Sequence, residues 1–172
     1  MPELQITLTP PNDVVRILDL APEIMDKHLR RALQKCGLLV EADAKRRVPQ
    51  ASRALFRSIN SRVDGQGAQL HALVNVGEPY GWFVEHGRGP GRMPPHGAGS
   101  SLALWAKSVS IISSGSNPTR LDLGILFVIA RAIGRSGTRA QPFLEPAFNE
   151  NKARIATIFE EAIADAVKEI QG

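Results

Sequence analysis

Apolar residues recur at helical spacing in two long segments near the two ends of the chain. In residues 22–47 these positions are Met25, Leu29, Ala32, Leu33, Cys36, Leu39 and Val40. From residue 149 onward they are Ile155, Ile158, Phe159, Ala162, Ile163, Ala166, Val167 and Ile170. Spacings of three and four residues place such side chains on one face of a helix. We therefore expect two long amphipathic helices, each of which is stable only against a partner surface.

Alternating apolar and polar residues predict a small antiparallel sheet. A short strand is expected at residues 4–8, followed by a brief helical turn at residues 12–18. A hairpin is expected next, with strands at residues 56–63 and 68–76 and with Asp64-Gly65-Gln66-Gly67 as its turn. Together with the two long helices, this hairpin predicts an α+β fold in which the helices pack on a small sheet.

The middle of the chain is irregular. Residues 88–101 are rich in glycine and proline, which predicts a mobile loop. A short helix is expected at residues 101–111, a flexible link at 113–118, and a helix at 119–133 that is apolar nearly all round. Such a helix is enclosed either by the fold or by an assembly. We therefore expect one domain over residues 1–172, with a flexible insertion at residues 88–118 that contains a short helix.

Residues 137–148 join that apolar helix to the terminal helix. Gly137 predicts a helix end, because glycine accepts the left-handed conformation of a closing turn. Pro142 and Pro146 restrict where the next helix begins. Phe143, between the two prolines, is expected to be a buried anchor that fixes the angle between two helices.

Composition narrows the class of protein. The 172 residues are 43% hydrophobic, 22% charged and 5% aromatic, which is typical of one soluble globular domain with an aliphatic core. The single cysteine, Cys36, excludes an intramolecular disulfide and a multi-cysteine zinc site, and core packing is its expected role. No signal peptide or membrane-spanning segment is expected, so we expect synthesis and folding in the cytoplasm.

Positive charge is concentrated in one part of the sequence. The net charge is +4, and ten of the 21 basic residues fall within residues 27–62. A solvated helix face explains this concentration, and a nucleic-acid-binding groove is the alternative. The scarcity of aromatic residues and the lack of a helix-turn-helix or zinc signature weigh against the groove.

The candidate catalytic groups form no known pattern. Glu85, His86, His96 and His71 have no zinc-ligand spacing, and a serine hydrolase motif is missing from the sequence. The segment Gly87-Arg88-Gly89-Pro90-Gly91 lacks the ending of a phosphate-binding loop. We expect Glu85 to pair with a nearby arginine, and we expect neither an enzyme activity nor a cofactor.

Four motifs follow one another along residues 29–166. In chain order they are Ala44-Lys45-Arg46-Arg47-Val48-Pro49; then Leu55-Phe56-Arg57-Ser58-Ile59; then Tyr80, Trp82, Phe83, Glu85 and Gly87; and last Gly137-Thr138, Gln141-Pro142-Phe143-Leu144 and Pro146-Ala147. In this order and spacing, the chain resembles the small neck, or tail-completion, proteins of long-tailed bacteriophages. One departure is Arg88, where that family often has threonine.

The resemblance implies an α+β fold, a structural role in the virion and a multimeric ring at the head–tail junction, without enzymatic activity. Implied partners are other copies of the chain and neighbouring neck, tail-terminator or tail-tube proteins, with contact to exiting DNA and no membrane. The implied interface residues are Tyr80, Trp82, Phe83, Glu85, Thr138, Gln141, Phe143 and Pro146. The implied DNA-facing residues are Arg88, Arg92, Arg46 and Arg47.

Overall fold

The structure is a computed structural model that describes residues 3–7, 21–49, 53–113, 115 and 117–171. The described strands are β1 (Glu3–Thr7), β2 (Ile59–Asp64) and β3 (His71–Val76). The described helices are α1 (Pro22–Arg47), α2 (Arg53–Ser58), α3 (Gly81–His86), α4 (Ser101–Ser108), α5 (Arg120–Ser136) and α6 (Leu144–Gln171). The predicted α+β class is confirmed. The helical turn expected at residues 12–18 lies outside the described residues.

Contacts along the chain define two compact units, each built from separate stretches of sequence. The first unit contains the described residues of Arg47–Ile59 and Val76–Phe143. The second unit contains Glu3–Arg46, Asn60–Asn75 and Leu144–Gly172. The expected single domain stays a prediction, and the two units are described separately.

In the second unit, α1 and α6 pack together in antiparallel directions on the hairpin. Lys27 and His28, near the start of α1, each place a side-chain nitrogen 2.7 Å from a carboxylate oxygen of Glu169, near the end of α6. At the opposite end, the Asn151 amide donates a 3.1 Å hydrogen bond to Asp43. These contacts fix the two helices side by side at both ends.

The buried face of α1 matches the predicted one. Met25, Leu33, Cys36 and Val40 are at most 1% exposed. Burial raises the pKa of the Cys36 thiol to about 11, as expected for a cysteine in a core. A Cβ atom added at Gly37 would lie 3.1 Å from the Ser61 Cβ, so this glycine allows α1 to approach β2 closely.

The sheet has the strand order β1-β3-β2, and β1 pairs with β3 in antiparallel register from Glu3 with Asn75 to Thr7 with His71. The prediction that the first hairpin strand begins at Phe56 is wrong. Residues 56–58 belong to α2, which is anchored by the buried Leu55 and closed by a 2.9 Å hydrogen bond from the Ser58 hydroxyl to the Leu55 carbonyl.

The return strand of the hairpin also begins later than expected. Gly65 and Gly67 adopt φ values of +84° and +54°, which favour glycine. A 3₁₀ turn at Gly67–Gln69 then follows, so β3 starts at His71 rather than at residue 68. The two glycines predicted that the chain turns here. The sequence did not predict the additional 3₁₀ turn, which lengthens the connection between β2 and β3.

The first unit has its own small core, in which α4 packs on α5 through Ala103, Ala106, Ile112 and Leu126. The N-terminus of α5 is closed by a capping box. The Asp122 N–H donates to the Thr119 hydroxyl, and the Asp122 carboxylate accepts from the Thr119 N–H. These hydrogen bonds lower the pKa of Asp122, the Thr119 backbone bond being the largest cause. The predicted short helix in the insertion is therefore present and packed.

The described residues of the chain do not enclose all of α5, which was expected to be enclosed either by the fold or by an assembly. Leu126 and Ala130 are fully buried, but Leu121 is 74% exposed and Val128 is 65% exposed. Gly124 lies on the same exposed side. Among the described residues, α4 and the segment around Met93 cover parts of α5, and enclosure of the exposed side by an assembly stays a prediction.

Candidate functional site

Two of the four sequence motifs meet in the first unit, although about 50 residues separate them. Arg88 and Thr138 form an isolated antiparallel β-bridge, with N···O distances of 2.9 Å and 2.7 Å. The Gln141 N–H donates a further 2.8 Å hydrogen bond to the Val84 carbonyl. We call residues 80–91 and 134–143 the bridge site.

The first half of the bridge site is α3, a helix of one and a half turns that the sequence pattern did not predict. The N–H groups of Phe83 and Val84 donate to the Tyr80 carbonyl, and the Tyr80 side chain is only 5% exposed. The helix ends at Gly87, whose φ of +70° turns the chain towards Thr138. A buried tyrosine and a terminal glycine thus position the exposed residues between them.

Two glycines permit the close approach of the two halves. A Cβ atom at Gly87 would lie 2.7 Å from both the Thr138 carbonyl oxygen and the Ala140 nitrogen. A Cβ atom at Gly137 would collide with the Arg88 carbonyl, and Gly137 also has a positive φ of +73°. Any other residue at either position would separate the strands of the bridge.

A buried carboxylate completes the backbone contacts. Glu85 is 5% exposed, and one of its carboxylate oxygens accepts a 2.8 Å hydrogen bond from the Phe143 N–H. The Phe143 side chain is fully buried. Glu85 therefore ties α3 to the segment before α6, and the expected arginine partner of Glu85 stays a prediction.

An aromatic surface lies beside these buried groups. Trp82 is 48% exposed and stacks on the His86 ring at a centroid distance of 3.8 Å. Phe83 is 43% exposed, and the Arg88 guanidinium lies 5.8 Å from its ring centroid. Large aromatic side chains that are rigidly supported and half exposed are typical of protein-contact surfaces.

Four arginines lie at or next to the residues that form the backbone hydrogen bonds of the bridge site. Arg88 forms the bridge itself, and its guanidinium donates to the Arg92 carbonyl. The Gly91 N–H donates 2.8 Å to the Gly134 carbonyl, which places Arg92 and Arg135 next to bonded residues. Arg139 directly follows Thr138. The start of the insertion is thus tied to the end of α5, while the expected mobility of residues 88–101 stays a prediction.

The structure sorts the predicted interface residues into two groups. Tyr80, Glu85 and Phe143 are buried within the chain and support the site. The exposed residues are Trp82, Phe83, Thr138 and Gln141. Pro146 is half-buried in the first turn of α6 and belongs to the second unit. The exposed group is available for contact with a partner.

The predicted DNA-facing residues are divided between the two units. Arg88 of the bridge site donates a hydrogen bond to the carbonyl of Arg92, which follows the site directly. Arg46 belongs to the second unit and pairs with Asp43 at 3.1 Å, and Arg47 ends α1. Sequence reasoning did not single out Arg135 and Arg139, because the sequence does not reveal the backbone contacts of their neighbours Gly134 and Thr138.

At least half of the basic residues singled out in residues 27–62 have acidic neighbours. Five of the ten pair with carboxylates within 3.2 Å, namely Lys27, Arg30, Lys45, Arg46 and Arg62. Such pairs between exposed groups contribute little to stability, but they neutralise the local charge. This part of the chain matches a solvated helix surface better than a phosphate-binding groove.

Outside the bridge site, the second unit contains a groove on its surface. An open groove of about 580 Å³ in the second unit is lined by Lys35, Leu38, Leu39, Arg154, Thr157, Ile158 and Glu161. Within the described residues, no three His, Cys, Asp or Glu side chains are grouped to hold a metal ion. None of the helices described is long and apolar enough to span a membrane.

Comparison with known proteins adds no relative: no protein-family model, curated protein sequence or solved structure matches the chain. The resemblance to phage neck proteins therefore depends on the sequence motifs alone.

Proposed function

We propose that this chain is a structural protein of tailed-bacteriophage particles that acts at the head–tail junction as a multimeric ring. The observation that supports the proposal most is the bridge site. Two separate motifs of the neck-protein resemblance, around Glu85 and around Phe143, form one hydrogen-bonded unit. The resemblance thus involves residues that depend on one another in the fold, rather than isolated matches along the sequence.

In this proposal, buried residues build the site and exposed residues contact a partner. Tyr80, Glu85 and Phe143 hold the backbone, while Trp82 and Phe83 present an aromatic surface. The partners are other copies of the chain and the neighbouring neck, tail-terminator or tail-tube proteins. The role requires no cofactor and no catalytic group. The protein is made in the host cytoplasm and becomes part of the virion.

Nucleic-acid binding is the second candidate function, and one observation favours it. The first unit contains ten basic and three acidic residues, which gives a net charge of +7. Two of its acids, Glu85 and Asp122, are buried. A surface of this charge attracts phosphate backbones, and such binding weakens steeply with added salt.

Deletion of the gene from a phage genome tests the proposed function. The expected result is a lysate of separate, DNA-filled heads and complete tails in electron micrographs. Expression of the parent protein from a plasmid should restore joined particles, whereas the Trp82→Ala/Phe83→Ala variant should not. Leu104→Ala, which truncates another half-exposed apolar residue of the first unit, is the control and should restore them. Normal infectious particles from the deletion would contradict the proposal.

A further inference from the structure

Among the described residues, none covers the side of α5 that runs from Leu121 to Arg135. The exposed residues at its centre are spaced alternately by three and four positions, and they are Leu121, Gly124, Val128, Arg131 and Arg135. This set, which we call the α5 face, is apolar at the N-terminal end of the helix and basic at the C-terminal end. A Cβ atom at Gly124 would meet no other atom within 4 Å, so the centre of the face is open to a close approach.

The basic end of the α5 face has no acidic neighbour within the described part of the chain. The ion pairs found there involve neither Arg131 nor Arg135. In the second unit, by contrast, Lys27, Arg30 and Lys45 all pair with carboxylates. The α5 face therefore has charge that remains available to an external anionic group.

Charge is distributed unequally between the two units. The first unit, which contains α5, has ten basic and three acidic residues and a net charge of +7. The described residues of the second unit include ten basic and twelve acidic ones, which gives −2. Copies of one chain with such a distribution attract one another when the first unit of one copy approaches the second unit of another.

The composition of the α5 face favours a protein partner over nucleic acid. Leu121 and Val128 are 74% and 65% exposed and lie on the same side of the helix as the arginines. Apolar residues together with arginine are typical of protein interfaces. A surface that binds phosphate backbones gains nothing from exposed leucine and valine, because its affinity comes from neutralised phosphates.

The second unit offers a surface of matching character on α6. Glu160 and Glu161 are exposed there, and the short side chains of Ala153, Ala156 and Ala164 lie on the same exposed side. Glu161 also lines an open groove with Lys35 and Arg154, so Glu160 is the carboxylate that stands apart from this groove. Short side chains let the apolar end of the α5 face approach the helix closely. The two glutamates supply carboxylates that arginine can bind with two parallel hydrogen bonds.

We infer that the α5 face of one copy docks on the exposed, acidic side of α6 in a second copy. The contact is head-to-tail, because two α5 faces packed on each other would place four like-charged arginines in one interface. Head-to-tail contacts generate closed rings when the rotation between copies closes. This inference names the surfaces of the proposed ring and in that respect rests on the proposed function.

Charge reversal and its compensation test the contact. Light scattering of the purified protein should give a mass above the 18.7 kDa of one chain at about 0.05 M salt, and a lower mass at about 0.5 M salt, where screening is stronger. Arg131→Glu/Arg135→Glu should weaken self-association at least tenfold, and so should Glu160→Arg/Glu161→Arg. An equimolar mixture of the two variants should associate again, because each supplies the charge that the other needs.

Arg53→Glu/Arg57→Glu is the matched control, since it makes the same charge change on exposed residues of α2 in the same unit. Circular dichroism should be used to check that each variant is folded. The mixing experiment is decisive, because only folded chains can restore self-association to one another. The inference is overturned if the parent is a single chain at both salt concentrations, if the control weakens association equally, or if mixing restores nothing.

Binding of a duplex DNA oligonucleotide to the parent and to the variants is the last measurement of the test. If Arg131→Glu/Arg135→Glu abolishes binding of the duplex but leaves the mass of the protein unchanged, the α5 face binds nucleic acid and the inferred contact is wrong. The contact and the proposed function can also fail separately. If Arg131→Glu/Arg135→Glu still self-associates and the phage still requires the gene, the inferred contact is wrong and the proposed function stands.

Discussion

The backbone N–H of Phe143 donates a 2.8 Å hydrogen bond to the carboxylate of Glu85, although 58 positions separate the two residues. Both residues are buried, so water cannot replace the bond. Together with the hydrogen bond from the Gln141 N–H to the Val84 carbonyl, this contact holds α3 against the segment that leads into α6.

Replacement of Glu85 by alanine should destabilise the protein by about 1–3 kcal/mol, because the buried Phe143 N–H would lose its acceptor. Glu85→Gln should cost less, since the amide oxygen accepts the same hydrogen bond. Urea denaturation followed by circular dichroism measures both variants. An equal loss in the two variants would show that the hydrogen bond is not what Glu85 contributes.

Phe143→Ala should cost about 3–5 kcal/mol, because it removes a fully buried aromatic side chain. Pro142→Ala should cost much less, since Pro142 is exposed and its ring acts mainly by restricting the unfolded chain. The two variants separate packing from rigidity in neighbouring residues. Thermal unfolding checks the difference, and a parent-like Phe143→Ala would contradict the anchoring role of this residue.

Gly137→Ala should destabilise the protein by more than about 1 kcal/mol, because the residue has a positive φ of +73° and an added Cβ would lie 2.9 Å from the Gly89 carbonyl carbon. Gly124→Ala is the opposite case. Its Cβ would be free of contacts inside α5, and the change should stabilise the protein by about 0.5–1 kcal/mol. Denaturation midpoints that shift in the same direction would contradict the argument.

Glu169 should make stability depend on pH in the acid range. The hydrogen bond from Lys27, followed by that from His28, lowers the pKa of Glu169 from the ordinary 4.5 to about 2. A lowered pKa stabilises the fold above pH 4.5, and this contribution is lost as the pH falls from 4.5 to 2. The melting temperature of the parent should therefore fall more steeply over this interval than that of Glu169→Gln.

The exposed Glu160 of the same helix supplies the control for this measurement. Glu160→Gln should retain the acid dependence of the parent. Because Lys27 and Glu169 are nearly half exposed, the difference should be modest and should shrink at high salt. Identical curves for the parent and Glu169→Gln would show that the ion pair does not contribute.

Sequence periodicity predicted the two long helices well, because their apolar positions repeat over many turns. Met25 to Val40 in α1 and Ile155 to Ala166 in α6 supply the buried residues that the pattern indicated. Short elements were predicted less well. The helix α2 was taken for a strand, since six residues contain too few repeats to distinguish the two periods.

The sequence predicted which residues belong to the candidate site, but it did not predict how they are arranged in space. Gly137 was recognised from the sequence as a position of unusual backbone and Gly87 was not, and the sequence does not show that their neighbours Arg88 and Thr138 pair. The sequence could not decide between the two explanations for the apolar surface of α5 either. An apolar helix has the same sequence whether its own chain or another copy covers it.

The central claim is that the protein joins phage heads to tails, and the most direct test adds the purified protein to an extract. Cells infected with the deletion phage should contain heads and tails that form infectious particles when the protein is supplied. We predict that the number of plaque-forming units rises with the amount of protein added. Phe143→Ala, if folded, should restore fewer plaque-forming units than the parent protein. Heads and tails that join and infect equally well without the added protein would contradict the account.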